Sequence, residues 1–442
     1  MPISPARTAA FEILLRVDQQ DAFASELLHS SAYQNLSPAD HRLATDLVMG
    51  VLRWRSRLDE KISKHSSLKI SKIDSEVLTA LRIASYQLTF LDRIPVRAAI
   101  HQSVELVKQA RKRSAVPFTN AVLRKMVSSK VDAADIEAVF TTADLARVSA
   151  HPQWLVERWV REFGFEIAKK ICDYDQRVPN TALAIREPAI TTELESYGIK
   201  LAPGHFLACS YRMVAGDLRK LPAELRGQIA IQDEGSQLVS HLVGKGARIL
   251  DCCAAPGGKA RVVAETNPAS LIVATELHPH RARLMRTLVK ASNVRVIAAD
   301  AQKLPFTTSF DRVLVDVPCS GTGTLARNPE IKWRLKPGDL ADLQKRQVAI
   351  LQSAMQHVIP GGTLVYSTCS LEKEENEDVV CKVLAADSSF RLRNCRDRLQ
   401  QLRSDGEVLC KDVDSLTTGP YLRTIPGVHP CDGFFAAIVE KI

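Results

Sequence analysis

The 442-residue chain has no run of 18 or more uncharged apolar residues, so no transmembrane helix is expected. Its first residues, MPISPARTAAFEILLRV, lack the unbroken apolar region of a secretion signal and read as an amphipathic helix; a cytoplasmic protein is expected. None of the ten cysteines forms a CxxC pair, and Cys252 and Cys253 are adjacent, which argues against a structural zinc site; no metal is expected. In a reducing compartment these cysteines should be free thiols. Neither GxGxxG nor a Walker phosphate loop occurs. The glycine-rich stretch Asp251–Lys259, DCCAAPGGK, has no Ser or Thr after its lysine to hold magnesium. Internal repeats and low-complexity tracts are also missing.

What is present describes an ordinary globular chain, 45% hydrophobic and 25% charged, too long for one compact domain. The net charge of +9 is uneven. Residues 51–130 hold 17 basic and 6 acidic residues, so the excess is concentrated there and the remainder is slightly acidic. A solvated helical surface would tolerate such charge, but its concentration favours a polyanionic partner.

Residues 1–140 read as an all-helical bundle. Ser4-Pro5 and Ser37-Pro38 each set a capping hydroxyl before a proline at the first helical position. Leu43, Leu47 and Val51 recur every four residues with Ala44, Val48 and Leu52 alongside, and Val77, Leu81, Ala84 and Leu88 repeat the stripe. Arg53, Arg55, Arg57, Arg111, Lys112, Arg113, Arg124 and Lys125 are expected on the opposite, solvated faces. Residues 141–232, punctuated by Pro188, Pro203 and Pro222, combine an amphipathic helix over 154–172 with a strand-like Thr181–Arg186, predicting a small α+β linker domain. From 233 to 442 strands and helices alternate. That pattern predicts a doubly wound parallel sheet whose ligands bind beyond the strands' carboxyl ends.

Two stretches of this last region, VLVDVPCSGTGT (313–324) and LVYSTCS (364–370), are β-branched apolar runs that stop in small and polar residues. Each delivers a cysteine just past its strand, Cys319 and Cys369, a candidate catalytic pair. A buried cysteine is ordinarily only a small apolar residue. Cys172, Cys209, Cys381, Cys395, Cys410 and Cys431 lack the strand-end setting and are expected to be such residues. In the loop 251–259, Gly257 and Gly258 remove side chains where backbone must pass close to a ligand, and Cys252 and Cys253 shape the turn. Glu276 ends the second strand, where a carboxylate accepts hydrogen bonds from both ribose hydroxyls, and Asp300 ends the third, placed to meet an adenine amino group. An adenosine-bearing ligand without a required triphosphate follows. S-adenosylmethionine fits better than NAD or ATP.

The most specific pieces are DVPCSGTGTLARNPEIKW (Asp316–Trp333), YSTCSLEKEEN (Tyr366–Asn376) and GVHPCDGFFAAIV (Gly427–Val439). With them the sequence resembles the RNA cytosine-5 methyltransferases, specifically the bacterial ribosomal RNA group called Sun or RsmB, over essentially the whole chain. The resemblance implies a NusB-like RNA-binding domain over 1–140, a small RNA-recognition-like domain over 141–232 and a Rossmann-like class I methyltransferase domain over 233–442. It implies S-adenosylmethionine held by Cys253, Ala254, Ala255, Pro256, Gly257, Gly258, Lys259, Glu276, Asp300 and Asp316. The implied partner is small-subunit ribosomal RNA, with no membrane involved and the protein acting as a monomer. Cys369 would add to carbon 6 of a cytosine so that carbon 5 can be methylated, and Cys319 would assist release. The residues alone leave open which thiol attacks. Asp316 would stabilise charge at ring nitrogen 3, and Lys259 would either lower a neighbouring thiol's pKa or position the cofactor loop. Lys332 and Trp333 would steady the RNA, with a packing role equally open to Trp333, and the acidic run Glu372–Asp378 reads as a helix start. Val317, Ala260 and Glu276 stand where relatives commonly have Ala, Thr or Ser, and Asp; none of these removes a reacting group. Two other readings compete: the same reaction on transfer or large-subunit RNA, and a non-catalytic NusB-like RNA-binding factor. The second would show a lost catalytic cysteine or GGK loop, and both are present.

Overall fold

The computed structural model describes residues 3–128 and 139–442, which divide into two compact units. The first comprises Met1–Val178 with Leu325–Arg334, the second Pro179–Thr324 with Leu335–Ile442.

The first unit is helical. Pro5–Gln20, Pro38–His65, Ser75–Phe90, Val96–Gln109 and Val116–Ser128 pack around one apolar core that includes Leu14, Leu47, Val51, Leu81, Ala84 and Leu106. Ser4 and Ser37 cap as their sequence predicts: their hydroxyls accept from Arg7 N at 3.4 Å and Asp40 N at 3.1 Å, and Pro5 and Pro38 open the helices. In the expected stripe Ala44, Leu47, Val48, Val51 and Leu52 are buried, while Leu43 and Leu88 are half-buried at its edge. Helices Thr142–Val148, Gln153–Phe163 and Phe165–Asp175 also belong to this unit. The helical expectation for 129–138 lies outside the described residues.

The basic stretch is not wholly solvated. Arg111, Arg113, Arg124 and Lys125 are exposed, and Arg55 and Arg57 pair with Asp18 at 2.8 Å and Glu60 at 3.1 Å. Arg53, expected at the surface, is buried; it donates to Ala326 O at 2.9 Å, and burial lowers its pKa. Its helix is 28 residues long, and a second face is covered by a segment nearly three hundred residues away in sequence. Lys332 from that segment is 1% exposed and donates to Arg53 O at 3.0 Å, with its ammonium 5.2 Å from the centre of the Trp333 ring. Trp333 Nε1 donates to Leu52 O at 2.6 Å, and Ala24 N donates to Glu330 Oε1 at 2.8 Å. Lys332 therefore packs and presents no surface to RNA.

Burial pushes the Lys332 ammonium down to about 7, against the raising effect of Asp175. An unfolded lysine titrates near ~10.4. The folded state thus holds fewer protons between the two values, and stability should rise with pH across that window, the whole cost being present below it. Such a shift corresponds to up to roughly 4–5 kcal/mol. Lys332→Met should flatten this slope, while Arg53 O keeps Gln176 as a donor at 3.3 Å. Thermal melts of both proteins between about pH 6 and 10 check this, and a slope unchanged by the substitution contradicts it.

The second unit carries two sheets. In the smaller, Ala182–Ala184 (β1), Lys200–Pro203 (β2), Ser210–Ala215 (β3) and Ala230–Ile231 (β4) run antiparallel in the order β2-β3-β1-β4, with helices Pro188–Ser196 and Ala223–Gln228 after β1 and β3. This is the βαββαβ plan of an RNA-recognition-like α+β domain. Only β1 is legible as a strand in the sequence, because β2 and β3 are short and mostly part-exposed, without clean alternation.

The larger sheet takes Arg248–Asp251 (β5), Leu271–Glu276 (β6), Val294–Ala298 (β7), Phe310–Asp316 (β8), Val358–Thr368 (β9), Phe390–Arg393 (β10), Thr417–Thr418 (β11), Tyr421–Arg423 (β12) and Phe435–Lys441 (β13). β7-β6-β5-β8-β9 are parallel, as the alternating pattern requires. β13, from the closing motif, runs antiparallel to β9, followed by β12 and β11, with β10 on β13. The sheet is therefore mixed. An apolar run marks a buried strand but carries no direction. Successive residues alternate between two cores: Leu250, Val313, Val315 and Tyr366 on one face, Ile249, Leu314 and Val365 on the other. After β7 the chain returns to the far side of β5, so the strand order reverses between β5 and β8. That is where an open sheet of this type binds ligands. Among the described residues no helix is long and apolar enough to cross a membrane.

Candidate active site

β5 and β8 both end in aspartates at this reversal. Asp316 accepts from Ser367 Oγ at 2.7 Å and from Lys259 Nζ at 2.7 Å. Lys259 comes from the first turn of helix Gly258–Thr266, and its ammonium lies 5.1 Å from the centre of the Phe434 ring. Burial by itself would lower the lysine's pKa; Asp316 outweighs it, with Cys369 and Asp251 adding, so the ammonium is held charged. Of the two roles expected for Lys259, this geometry shows a fixed cation whose field also reaches Cys369.

The turn before that helix needs glycine. Gly257 has φ +110°, and a Cβ there would lie 2.4 Å from Val289 Cγ2. Cys253, Ala254, Ala255, Pro256, Gly258, Lys259 and Asp316 line one cleft, together with Asp251, Gln232 and Ser236; Gly257 shapes the turn behind it. Glu276 is buried at the end of β6, with Oε1 accepting from His278 N at 2.9 Å. Asp300 is exposed two residues past β7 and caps Gln302 N at 2.9 Å. Burial pushes the Cys253 thiol well up, and Asp251, Asp316, Glu276 and Asp300 push the same way, so four carboxylates act on this end of the sheet. S-adenosylmethionine carries a sulfonium and an ammonium, and an acidic cleft suits that charge.

Sequence reasoning missed Asp251. It is 1% exposed, its carboxylate oxygens have no side-chain hydrogen-bond partner among the described residues, and burial followed by Asp316 pushes it up to about 7 against Lys259 and the Cys253 backbone N–H. A buried acceptor left open at the wall of the cleft fits a cationic ligand group. Its only sequence signal is position, as the last residue of the strand at the order reversal.

The two thiols meet. Cys319 Sγ and Cys369 Sγ are 3.4 Å apart and both residues are half-buried, because β8 and β9 are neighbours and their ends lie side by side. Gly323 makes the close approach possible: it donates to Cys369 O at 2.9 Å, accepts from Gly433 N at 2.8 Å, and a Cβ on it would lie 2.2 Å from Gly433 O. The GTG and DGF pieces of the motifs are thus backbone against backbone. The Cys319 thiol is held well up, first by its hydrogen bond with Cys369 and then by burial, so it keeps its proton.

Glu375 ties both thiol turns together. Fully buried, it accepts from Ser320 N at 2.8 Å, from Ser320 Oγ, from Ser370 Oγ at 2.5 Å and from Gln347 Nε2 at 2.8 Å. The same Gln347 amide reaches Pro318 O at 3.0 Å. The acidic run is a helix start only in part: Glu377 and Asp378 occupy the first turn of helix Glu377–Ala386, while Glu372 and Glu375 point inward. The signal that could have found Glu375 is the serine following each cysteine, two hydroxyls in need of a common acceptor. No group of three or more His, Cys, Asp or Glu side chains among the described residues is placed to hold a metal.

The family model described as 16S rRNA methyltransferase RsmB/F matches residues 243–440, and that of the NusB family matches residues 4–128. The chain is 34% identical over 458 residues to the probable ribosomal RNA small subunit methyltransferase B of Bacillus subtilis (strain 168), covering 100% of both. It is 31% identical to the ribosomal RNA small subunit methyltransferase B of Vibrio cholerae, covering 99% of this chain and 98% of that one. Among solved structures, PH0851 superposes with a TM-score of 0.81 at 22% identity over 100% of both chains. NSun6 from Pyrococcus horikoshii with SFG gives 0.56 at 20% identity, over 66% of this chain and 99% of that one. At these identities the two structures bear on the fold alone.

Proposed function

Because the chain belongs to the 16S rRNA methyltransferase RsmB/F family, whose methyl donor is S-adenosylmethionine, we propose that it methylates carbon 5 of one cytosine in small-subunit ribosomal RNA through a covalent cysteine adduct. The observation that carries this reading is the pair of thiols 3.4 Å apart beside the Lys259–Asp316 ion pair. The cofactor supplies an electrophilic methyl group. Carbon 5 of cytosine is a poor nucleophile, so Cys369 first adds to carbon 6 and turns the ring into an enamine. Asp316 presents a carboxylate to the exocyclic amino group, and Lys259 presents positive charge towards the negative charge developing at ring nitrogen 3. After methylation water takes the carbon 5 proton, the electron pair left behind forms the carbon 5–carbon 6 double bond, and the bond from carbon 6 to sulfur breaks to return the Cys369 thiolate. Cys319, which keeps its proton, hydrogen-bonds the sulfur of Cys369 as it departs. The base must be unstacked to reach this site. Exposed Arg111, Arg113, Arg124 and Lys125 suit a phosphate backbone. We take the enzyme to act as a monomer in the cytoplasm.

Incubation with labelled cofactor and ribosomal RNA should yield 5-methylcytosine in the small-subunit RNA. Label confined to transfer or large-subunit RNA would transfer the assignment to those substrates, and no label in any RNA would overturn it. The intact cysteines and GGK loop speak against a non-catalytic RNA-binding factor.

Asp251 gives the cofactor step a pH signature. If its carboxylate receives the ligand's ammonium, affinity for S-adenosylmethionine should increase as pH rises through about 7 and the group ionises. Asp251→Asn should remove that dependence and weaken binding by ~10–100-fold, the worth of a charge-assisted hydrogen bond. Calorimetric titrations at several pH values decide it; identical profiles for both proteins would rule out this role.

A further inference from the structure

Three side chains from three elements meet away from the methyl-transfer residues. Cys209 lies in the turn between β2 and β3, His241 in the last turn of helix Glu234–Leu242, and Glu407 in the turn after helix Cys395–Ser404. Cys209 Sγ is 3.6 Å from His241 Nε2, and His241 Nδ1 is 2.8 Å from Glu407 Oε2. Backbone pairing fixes the arrangement: Ala208 N donates to Glu407 O at 3.0 Å, Leu409 N donates to Phe206 O at 2.7 Å, and Leu207 bridges Val408. The imidazole is buried, while Cys209 is half-buried and open to a cavity of about 200 Å³. Ala184, Ile185 and Val262 give this cavity apolar walls, and its charged lining is Glu265, Asp405 and Glu407 with Arg186 and His241.

A carboxylate orienting an imidazole whose other nitrogen meets a thiol is the arrangement that makes cysteine nucleophilic. Methyl transfer uses none of the three residues. The imidazolium form is favoured: burial opposes it, but Cys209 and Glu407 hold His241 up to about 9, and His241 in turn holds Glu407 below the usual carboxylate range. A cation beside the sulfur stabilises thiolate.

We propose that Cys209 is a second reactive thiol, activated by His241 and oriented through Glu407, and that its cavity admits small disulfides. The Cys209 thiolate attacks one sulfur of the disulfide; a mixed disulfide forms, the old sulfur–sulfur bond breaks, and the other half leaves as a thiolate that takes a proton from water. The disulfide is itself the oxidant. The sequence shows Cys209 only as a packing residue, because its partners come from distant elements that no local pattern joins to it.

The test uses the full chain with cystamine at neutral pH, following each thiol by peptide mass mapping, with exposed Cys381 as the internal reference. Cys209 should be modified about 10-fold faster than Cys381 although it is less accessible, the gain expected from the imidazole 3.6 Å from its sulfur. His241→Gln should lower the Cys209 rate about 10-fold and leave Cys381 unchanged. Cys209 reacting no faster than Cys381, or unaffected by His241→Gln, overturns the proposal. Should His241→Gln unfold the chain, seen as rapid labelling of buried Cys395, then Glu407→Gln decides: a slower Cys209 supports the proposal and an unchanged one overturns it.

Discussion

Cys369→Ala is expected to abolish methyl transfer, by ~10⁴-fold or more, and to leave no covalent RNA complex. Cys319→Ala should stop turnover with RNA still joined to Cys369. The two outcomes differ because the thiols, though 3.4 Å apart, are not equivalent. Cys319 is held well above an ordinary thiol's pKa by its hydrogen bond with Cys369 and by burial, which suits a group that keeps its proton until the other sulfur departs. Cys369 shares the field of the Lys259 ammonium, which Asp316 holds charged at 2.7 Å. In the proposed mechanism, removing the attacking sulfur leaves the ring unactivated, and removing its neighbour lets the adduct form without the donor that eases its breakdown. Denaturing electrophoresis of each variant with labelled RNA reads the adduct directly. An adduct in Cys369→Ala and none in Cys319→Ala would exchange the roles.

Glu375→Ala should be the most damaging change that touches neither a sulfur nor the cofactor cleft. It strands Ser320 N, two serine hydroxyls and the Gln347 amide in a buried site. Each orphaned group costs ~1–3 kcal/mol, and the turns can relax only in part, so a loss of roughly 3–5 kcal/mol in stability is expected. The two thiol turns would no longer be held in register, and a displacement of about 1 Å is enough to slow catalysis ~10²-fold. Cofactor affinity should barely change, because the cleft of Asp251, Lys259 and Asp316 does not use this carboxylate. Glu375→Gln keeps one carbonyl acceptor and should fall between the two. Turnover and cofactor binding measured on the same preparations separate the cases: an equal loss of both would point to general unfolding, and wild-type turnover would show that the clamp is dispensable.

Several features of this protein were determined by its sequence alone, for local reasons. Ser4-Pro5 and Ser37-Pro38 start helices because a cap and a proline act within one turn. The Leu47 stripe is buried because period 3.6 places those residues on one face. Cys319 and Cys369 stand out because a β-branched run that breaks into small polar residues can only be a strand end opening into a turn. Their meeting at 3.4 Å follows from β8 and β9 being neighbours, which no local pattern states. The same limit hid Glu375 and Asp251, since a carboxylate in a charged run, or at the end of an apolar strand, looks solvated until its partners arrive from elsewhere in the chain. Arg53 and Lys332 illustrate it most plainly. Both read as surface cations, and both are buried because the segment Leu325–Arg334 packs within the helical unit. Periodicity tells which side of an element is covered; only the tertiary structure decides what covers it, and with that the charge, burial and chemistry of the residue beneath.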